Sequence, residues 1–485
     1  MIAFRDTQGG TVSVPKERIE ALRTALRGSV LLPGEPGYDA ARTLWNGMID
    51  RRPAAIVRPL GTADVIQAVN FARENRVLLA VKAGGHNIAG KAACDDGLLV
   101  DLSAMKSVRV DPSTKRARVE PGALLSDFDR ETQAFGLSTP TGINSTTGMA
   151  GLTLGGGFGW QSRKRGLTID NLVAVDVVLA SGEFVQASAE KNADLFWAVR
   201  GGGGNFGIVT SFEFRLHELG PEVLAGLIVY PFEQASQVFE GHRRFTASAP
   251  DEMTAWLVLR KAPPLPFLPP SVHGKEVVVV AFCWIGPMAQ GEALAAQLRT
   301  YGQPVGEHVG AMPFAAWQTA FDPLLAPGAR NYWKSHDFKA LGRDVERVVC
   351  DAVGRLPSDE CEVFIGHLGG AVNRVGATDT AYPHRDVEFV INVHTRWREP
   401  AEDARCIGWA RGLFDALTPH ATGGVYVNFM PEDETQRVAA GAYGPNYARL
   451  ARLKGTYDAD NLFSLNQNIL PQGAASERPT ERAAA

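Results

Sequence analysis

Apolar positions in the first half of the chain alternate between strand-like runs and segments with helical spacing. Val65, Ile66 and Val69 share one helical face after Thr62, a candidate N-cap, and the run 78–82 reads as the strand that follows. The same pattern continues to about residue 217 and predicts an α+β unit. It predicts strands over 97–102, 116–120, 172–180 and 208–214, and a helix over 124–135 that stops at Gly136.

The second half of the chain has a different pattern of apolar positions. Apolar runs at 277–282 and 389–394 predict strands of an antiparallel sheet with helices on one face. The proline-rich stretch 263–270 predicts a rigid loop within this region. Residues 472–485 are small and polar, and we expect them to form a disordered tail.

Fifteen of the 51 glycines lie in three loops, at 81–90, 142–159 and 201–207. The first glycine loop carries Gly84-Gly85-His86, where paired glycines let backbone N–H groups converge on an anion such as a diphosphate. The third glycine loop fits G-x-G-x-x-G, but a Rossmann turn must open a helix, and residues 208–214 alternate as a strand. A nicotinamide cofactor in a Rossmann fold is therefore disfavoured. This third loop is either a ligand contact or a tight structural turn.

Composition narrows the classes of function. The chain has 485 residues, 45% of them hydrophobic, and a net charge of −4, and it contains no basic run, which argues against a nucleic-acid partner. Its five cysteines form no CxxC pair, so neither a disulfide framework nor a metal site is expected. No leader-like start and no run of about 18 apolar residues is present. We therefore expect a cytoplasmic protein of more than one domain, without a membrane partner.

Taken in order, the three glycine loops and a C-terminal series of motifs resemble one known arrangement. The series comprises Tyr426-Val427-Asn428, Tyr443-Gly444, and the runs 453–458, 461–463 and 466–471. This layout resembles the vanillyl-alcohol-oxidase (PCMH) type of FAD-linked oxidoreductase, in the berberine-bridge-enzyme-like branch that includes hydroxynicotine oxidases and oligosaccharide oxidases. The resemblance spans nearly the whole chain. It implies an α+β fold with a two-part FAD-binding domain, 1–218 and 423–471, and a substrate domain, 219–422, whose antiparallel sheet is covered by helices.

The resemblance also implies the cofactor and its contacts. FAD is expected to be joined covalently to His86, and the second, cysteinyl link of many relatives is expected to be missing because Asn144 occupies that position. Ala150 stands where bulk would shield the flavin from oxygen, so its small side chain favours an oxidase. The expected FAD-binding residues are Lys82, Gly84, Gly85, His86, Asn87, Gly90, Thr141, Gly142, Gly148, Gly151, Gly155, Gly156, Gly159, Asn205, Gly207, Val209, Tyr426, Asn428, Asn466 and Asn468.

Tyr426 is also the candidate catalytic base, because it matches the tyrosine of the family's Tyr-x-Asn motif. A free tyrosine has a pKa near 10, so a phenolate needs a neighbouring cation or hydrogen-bond donors, and Lys334 is a candidate neighbour. The alternative is a core aromatic whose hydroxyl is satisfied. Arg374 replaces a glutamate that acts as base in some plant relatives, which favours alcohol over amine oxidation. A strand over 364–373 is expected to floor the substrate cavity, with His367 and Asn373 as polar candidates.

These expectations combine into an FAD-linked oxidase. It would transfer hydride from the alcohol carbon of a sugar-like or secondary-metabolite substrate to the flavin and return the electrons to O₂, giving hydrogen peroxide. Oxidation of a C–N bond in a heterocyclic amine, a dehydrogenase with another acceptor, and a flavin-binding protein without turnover are the alternatives. The expected partners are a small-molecule substrate and O₂, and the protein is expected to be a monomer or homodimer.

Overall fold

The computed structural model describes residues 1–473 and has the α+β architecture that the sequence predicts. The helices are α1 Lys16–Ala25, α2 Tyr38–Arg42, α3 Thr62–Asn75, α4 Leu125–Gln133, α5 Met149–Leu154, α6 Ser162–Arg165, α7 Ala193–Val199, α8 Ala235–Thr246, α9 Met288–Arg299, α10 Phe314–Gln318, α11 Arg343–Val353, α12 Asp403–Leu417 and α13 Tyr447–Tyr457. The strands are β1 Ile2–Arg5, β2 Thr11–Val14, β3 Ser29–Leu31, β4 Ala55–Arg58, β5 Leu79–Lys82, β6 Leu98–Asp101, β7 Val108–Asp111, β8 Arg116–Val119, β9 Leu137–Ser138, β10 Leu172–Val178, β11 Phe184–Ser188, β12 Ile208–Arg215, β13 His217–Glu218, β14 Glu222–Pro231, β15 Met253–Lys261, β16 Glu276–Trp284, β17 Gly306–Pro313, β18 Arg330–Phe338, β19 Glu362–His367 and β20 Phe389–Trp397.

The first region has two main sheets and the two-stranded sheets β1-β2 and β13-β9. One main sheet has four strands in the order β3-β4-β6-β5, of which β4, β6 and β5 run parallel. The other has five antiparallel strands in the order β11-β10-β12-β8-β7. The third glycine loop leads into β12, as predicted, and not into a helix. Helix α3 begins at Thr62 with Gly61 as its N-cap, so the expectation that Thr62 itself caps the helix was wrong by one residue.

A seven-stranded antiparallel sheet dominates the second region, in the order β17-β14-β16-β15-β19-β20-β18. Helices α8, α9, α11 and α12 pack on one face and bury a large apolar core, as the alternation of its strands predicts. The opposite face, which these four helices leave uncovered, is called the uncovered face below. It turns toward the glycine loops of the first region. The floor strand expected over 364–373 is β19, which ends at His367, and residues 370–374 form a turn of 3-10 helix instead.

The C-terminal segment packs back onto the first region. Val425, Val427, Tyr443, Leu450 and Ile469 are buried in the same apolar core as the five-stranded sheet. This contact agrees with the expected return of the chain, while the boundaries at 218 and 422 stay predictions. The tail expected over 472–485 lies outside the described residues, apart from Gln472 and Gly473.

Candidate active site

One cavity of about 330 Å³, the central cavity, lies where the three glycine loops, the C-terminal segment and the uncovered face of the seven-stranded sheet meet. Clefts at such junctions are the usual place for a cofactor and its substrate. The sequence predicted a site distributed over these same segments. The predicted residues that line the cavity are Gly84, Gly85, His86, Asn87, Gly142, Gly148, Gly151, Gly155, Asn205, Gly207, Val209, Tyr426, Asn428 and Asn466.

Six predicted contacts do not line it, namely Lys82, Gly90, Thr141, Gly156, Gly159 and Asn468. The Lys82 ammonium group donates to the carbonyl of Ala41 and lies 3.5 Å from an Asp101 carboxylate oxygen, so it faces away from the cavity. Thr141 accepts a hydrogen bond of 3.0 Å from Gln318. Gly159 approaches a backbone carbonyl so closely that a Cβ would lie 2.0 Å from the Thr141 oxygen. Lys82, Thr141 and Gly159 thus contact other parts of the chain, and the role of all six residues in FAD binding stays a prediction.

Close backbone contact between the first and second glycine loops explains two of the glycines. A Cβ added to Gly84 would lie 2.4 Å from the Cα of Gly148, and one added to Gly148 would lie 2.6 Å from the Gly84 nitrogen. No side chain fits there without moving the backbone. The two loops therefore contact each other backbone to backbone at Gly84 and Gly148, which both border the cavity.

The first glycine loop also offers unused hydrogen-bond donors. Within residues 1–473, none of the backbone N–H groups of residues 84–87 donates to another part of the chain. Lys91, which the sequence analysis missed, borders the same cavity and holds its ammonium group 2.8 Å from the Asn466 carbonyl oxygen. Burial lowers the pKa of this group, and a bound anion would counter that effect. Converging N–H groups with one cation suit a diphosphate.

His86 is held in a defined orientation by two neighbours. Its ring stacks on Trp45, with centroids 4.8 Å apart, and its Nε2 lies 3.0 Å from the Thr146 hydroxyl oxygen. Thr146 donates its own proton to the Asn144 side-chain oxygen at 2.8 Å. Burial lowers the pKa of His86 to about 3, so the imidazole is neutral at pH 7.

Tyr426 also borders the central cavity and is buried. Its hydroxyl oxygen accepts hydrogen bonds of 3.0 Å from the Gly157 N–H and from the Asn428 side-chain amide. Burial raises the pKa of Tyr426 to about 12, although both hydrogen bonds act in the opposite direction. A chain of aromatic contacts links it to His86 through Phe429, Trp333 and Trp45.

The uncovered face of the sheet contributes a polar group that sequence reasoning missed. Glu362 on β19 lies beside His394 on β20, with 3.1 Å between a carboxylate oxygen and Nδ1, and its other oxygen is 2.7 Å from Arg260. Burial alone would raise the pKa of Glu362, but Arg260 and His394 outweigh it and lower the pKa to about 2. Asn392, two residues before His394, also borders the cavity, and its side-chain oxygen has no partner within residues 1–473. Polar residues at every second position of an otherwise apolar strand were the available signal.

Several candidates from the sequence lie elsewhere. Lys334 forms an ion pair of 2.5 Å with Glu434, and so it is not the neighbour of Tyr426. His367 contacts Arg163 at 2.8 Å and stacks on Phe389, outside the cavity lining.

The structure also contradicts the places expected for Arg374 and Asn373 beside the substrate cavity. Arg374 is exposed and pairs with Asp251 at 2.6 Å, and Asn373 donates to Glu388. Because position 374 is remote from the cavity, its side chain does not bear on the choice between alcohol and amine. Within residues 1–473 there is no cluster of His, Cys, Asp or Glu suited to a metal, and no helix has the length and apolar character needed to span a membrane.

The fold and the cavity define a flavin-binding class of enzyme, and comparison with known proteins agrees. Residues 53–188 match the family profile described as FAD binding domain, and residues 425–470 match the one described as berberine and berberine like. An FAD-linked oxidoreductase of Dictyostelium discoideum is 33% identical over 92% of this chain and 95% of its own length.

Solved structures extend the match. The crystal structure of 6-hydroxy-D-nicotine oxidase from Arthrobacter nicotinovorans has a TM-score of 0.81 at 27% identity, over 92% of this chain and 98% of that one. The xylooligosaccharide oxidase from Myceliophthora thermophila, solved with xylobiose, has a TM-score of 0.82 at 26% identity, over 94% and 99%.

The chain belongs to the FAD-linked oxidoreductases with a berberine-like C-terminal segment, and FAD is its cofactor. The free N–H groups of the first glycine loop and the Lys91 ammonium group fit the diphosphate of bound FAD.

Proposed function

We propose that the enzyme is an oxidase that removes hydride from an alcohol carbon of a sugar-like or secondary-metabolite substrate, and that O₂ is its electron acceptor, giving hydrogen peroxide. The observation that carries this proposal is the arrangement of Tyr426, Glu362, His394 and Asn392 around the same cavity as His86. These groups put a proton acceptor and hydrogen-bonding partners for a hydroxyl group beside the predicted flavin contacts.

His86 is proposed to carry FAD covalently. Because the Thr146 hydroxyl donates to Asn144, its oxygen accepts the hydrogen bond from His86, which assigns the ring proton to Nε2. The lone pair is then on Nδ1, which has no hydrogen-bond partner within residues 1–473. A neutral imidazole with a free Nδ1 is the nucleophile that covalent attachment needs.

A single attachment point is proposed. Asn144 borders the cavity at the place of the second, cysteinyl link and accepts hydrogen bonds from Thr146. The five cysteines, Cys94, Cys283, Cys350, Cys361 and Cys406, all lie outside the cavity lining. Asn144 thus serves the His86 attachment indirectly, through Thr146.

Bound FAD supplies the hydride acceptor. Tyr426 is proposed to accept the proton of the substrate hydroxyl as the hydride leaves. The Gly157 N–H and the Asn428 amide already point at its oxygen, so they stabilise negative charge there without rearrangement. Since a pKa of about 12 leaves only a small fraction of Tyr426 as phenolate at pH 7, that phenolate fraction is the form that accepts the proton, and the rate is expected to rise with pH.

Ala150 supports the choice of O₂ as acceptor. It lies in α5 and borders the cavity with a methyl group only. A small side chain there leaves space for a diatomic molecule beside the bound cofactor.

Oxidation of a heterocyclic amine is the second candidate. It is supported by the structural similarity to 6-hydroxy-D-nicotine oxidase and by the buried Glu362 carboxylate. Arg260 and His394 already contact that carboxylate, which weakens its attraction for a cationic amine and leaves the alcohol as the first choice.

The experiment compares alcohols with amines as reductants of the enzyme-bound flavin. The purified holoenzyme is mixed without oxygen with a panel of sugars, aromatic alcohols and cyclic amines, and flavin bleaching is followed. Alcohols are expected to bleach the wild-type flavin, Tyr426→Phe to bleach at least a hundredfold more slowly, and added air to restore the colour with release of peroxide. Bleaching by amines alone, with Tyr426→Phe unaffected, would replace this proposal with the second.

A further inference from the structure

A second cavity adjoins the central one on the uncovered face of the seven-stranded sheet. This side cavity, of about 70 Å³, lies over β14, β16 and β15, and Glu362, Phe364, Ile143 and Leu325 border both cavities. Protein interiors are close-packed, so an apolar space of this size beside a reaction site is a feature to be explained.

Strand register arranges the two cavities along one face. Val279 on β16 lies opposite Val258 on β15, Val258 opposite Phe364 on β19, and Phe364 opposite Asn392 on β20. Side chains in register across neighbouring strands point to the same face. The row is therefore apolar at the side-cavity end and polar at the central-cavity end.

A neighbouring row of side chains on the same face also crosses from the side cavity to the central cavity. Val277, Arg260, Glu362, His394 and Trp333 are in register across β16, β15, β19, β20 and β18. Arg260 and Glu362 are the charged residues that border the side cavity, and they form an ion pair. The other lining side chains are aliphatic or aromatic, and within the described residues the indole nitrogens of Trp160 and Trp256 are the only further polar side-chain atoms among them.

The proline-rich loop that follows β15 roofs this space. Pro263, Leu265 and Leu268 border it, and backbone hydrogen bonds of 2.8 Å and 3.0 Å fold the loop on itself. Five prolines in residues 263–270 restrict its conformations, so the roof is formed before a ligand arrives.

We infer that the substrate is amphipathic, with a polar reacting end held at Glu362, His394 and Asn392 and an apolar arm that passes Phe364 into the side cavity. This inference rests on the proposed function for the chemistry of the reacting end. It selects an alcohol with an aliphatic or aromatic extension.

Binding of straight-chain alcohols to the anaerobic holoenzyme tests the arm. Kd for 1-butanol, 1-hexanol and 1-octanol is measured from the perturbation of the flavin spectrum, or from saturation of the bleaching rate if the alcohol reduces the flavin. Burial of added methylene groups is expected to make 1-octanol bind at least tenfold tighter than 1-butanol.

Two variants locate the effect. Val279→Phe fills the side cavity without bordering the central one, so it should abolish the preference for 1-octanol and leave Kd for 1-butanol unchanged. Ala311→Phe adds the same ring at an exposed position outside the side cavity, in a neighbouring groove that shares Leu265 and Leu324 with it, and it should keep the preference.

Three results overturn the inference: equal affinity for all three alcohols in the wild type, no perturbation by any of them, or a preference that survives in Val279→Phe. Length-dependent binding without bleaching would support the arm while refuting alcohol oxidation. Bleaching without length dependence would do the reverse.

Discussion

Thr146 is expected to control the rate at which FAD becomes attached to His86. Thr146→Val keeps the shape of the side chain and removes the oxygen that accepts the Nε2 proton at 3.0 Å. A neutral hydrogen bond of this kind is worth about 1 kcal/mol, and leaving a buried donor unpaired costs about 1–3 kcal/mol. Since 1.4 kcal/mol is a factor of about ten, the equilibrium ratio of the tautomer with a free Nδ1 to the other tautomer should fall by about fivefold to a hundredfold.

Reconstitution measures this directly. Apoprotein is mixed with FAD, samples are precipitated with acid over time, and the flavin that stays in the pellet gives the rate of attachment. Thr146→Val should attach FAD at least fivefold more slowly than the wild type at saturating FAD, and Thr146→Ser, which keeps the hydroxyl, should restore the rate. A Thr146→Val protein that attaches FAD at the wild-type rate would refute the assignment of the proton to Nε2.

Three further outcomes are expected. Tyr426→Phe should slow anaerobic reduction of the flavin by about 10² to 10⁴, and a change within threefold would contradict its role as base. The wild-type reduction rate should rise with pH from 7 to 10 without a plateau, because the pKa of Tyr426 is about 12. Ala150→Val should slow reoxidation of the reduced flavin by air, measured by stopped flow, with the reduction rate unchanged; equal reoxidation would remove Ala150 from the oxygen path. Lys454 and Asp458 are fully buried 2.5 Å apart, and Lys454 also donates to the Asn205 carbonyl. Lys454→Met should therefore lower the free energy of unfolding in urea by about 3–5 kcal/mol, and a loss below about 1 kcal/mol would show that the pair is dispensable.

Local signals predicted most of the fold. Apolar periodicity located the main strands and helices because the side-chain period of each element is local, and the strand 208–214 was separated from a Rossmann helix on that basis. The glycine loops were also predictable, because their glycines are clustered along the chain, although the close contact of Gly84 with Gly148 was not. Both signals survive without knowledge of tertiary contacts.

The errors come from contacts that are distant in sequence. Lys334 was a candidate neighbour of the Tyr426 hydroxyl. Because side chains alternate along β18, Trp333 points toward the cavity and Lys334 points to the other face of the sheet. Successive side chains of a strand point to opposite faces, so an error of one residue places every side chain on the wrong face. Only the register with the neighbouring strands fixes which face is correct. Glu362 and His394 are 32 residues apart and meet through that register, so neither was predicted.

Acid precipitation of the purified holoenzyme, followed by mass spectrometry of its tryptic peptides, shows whether FAD is joined to His86. We expect yellow colour that stays with the protein, FAD mass on the peptide that contains His86 and on no cysteine peptide, and loss of the covalent colour in His86→Ala. Release of all the flavin by acid from the wild type, or FAD on a cysteine peptide, would contradict a single covalent link through His86.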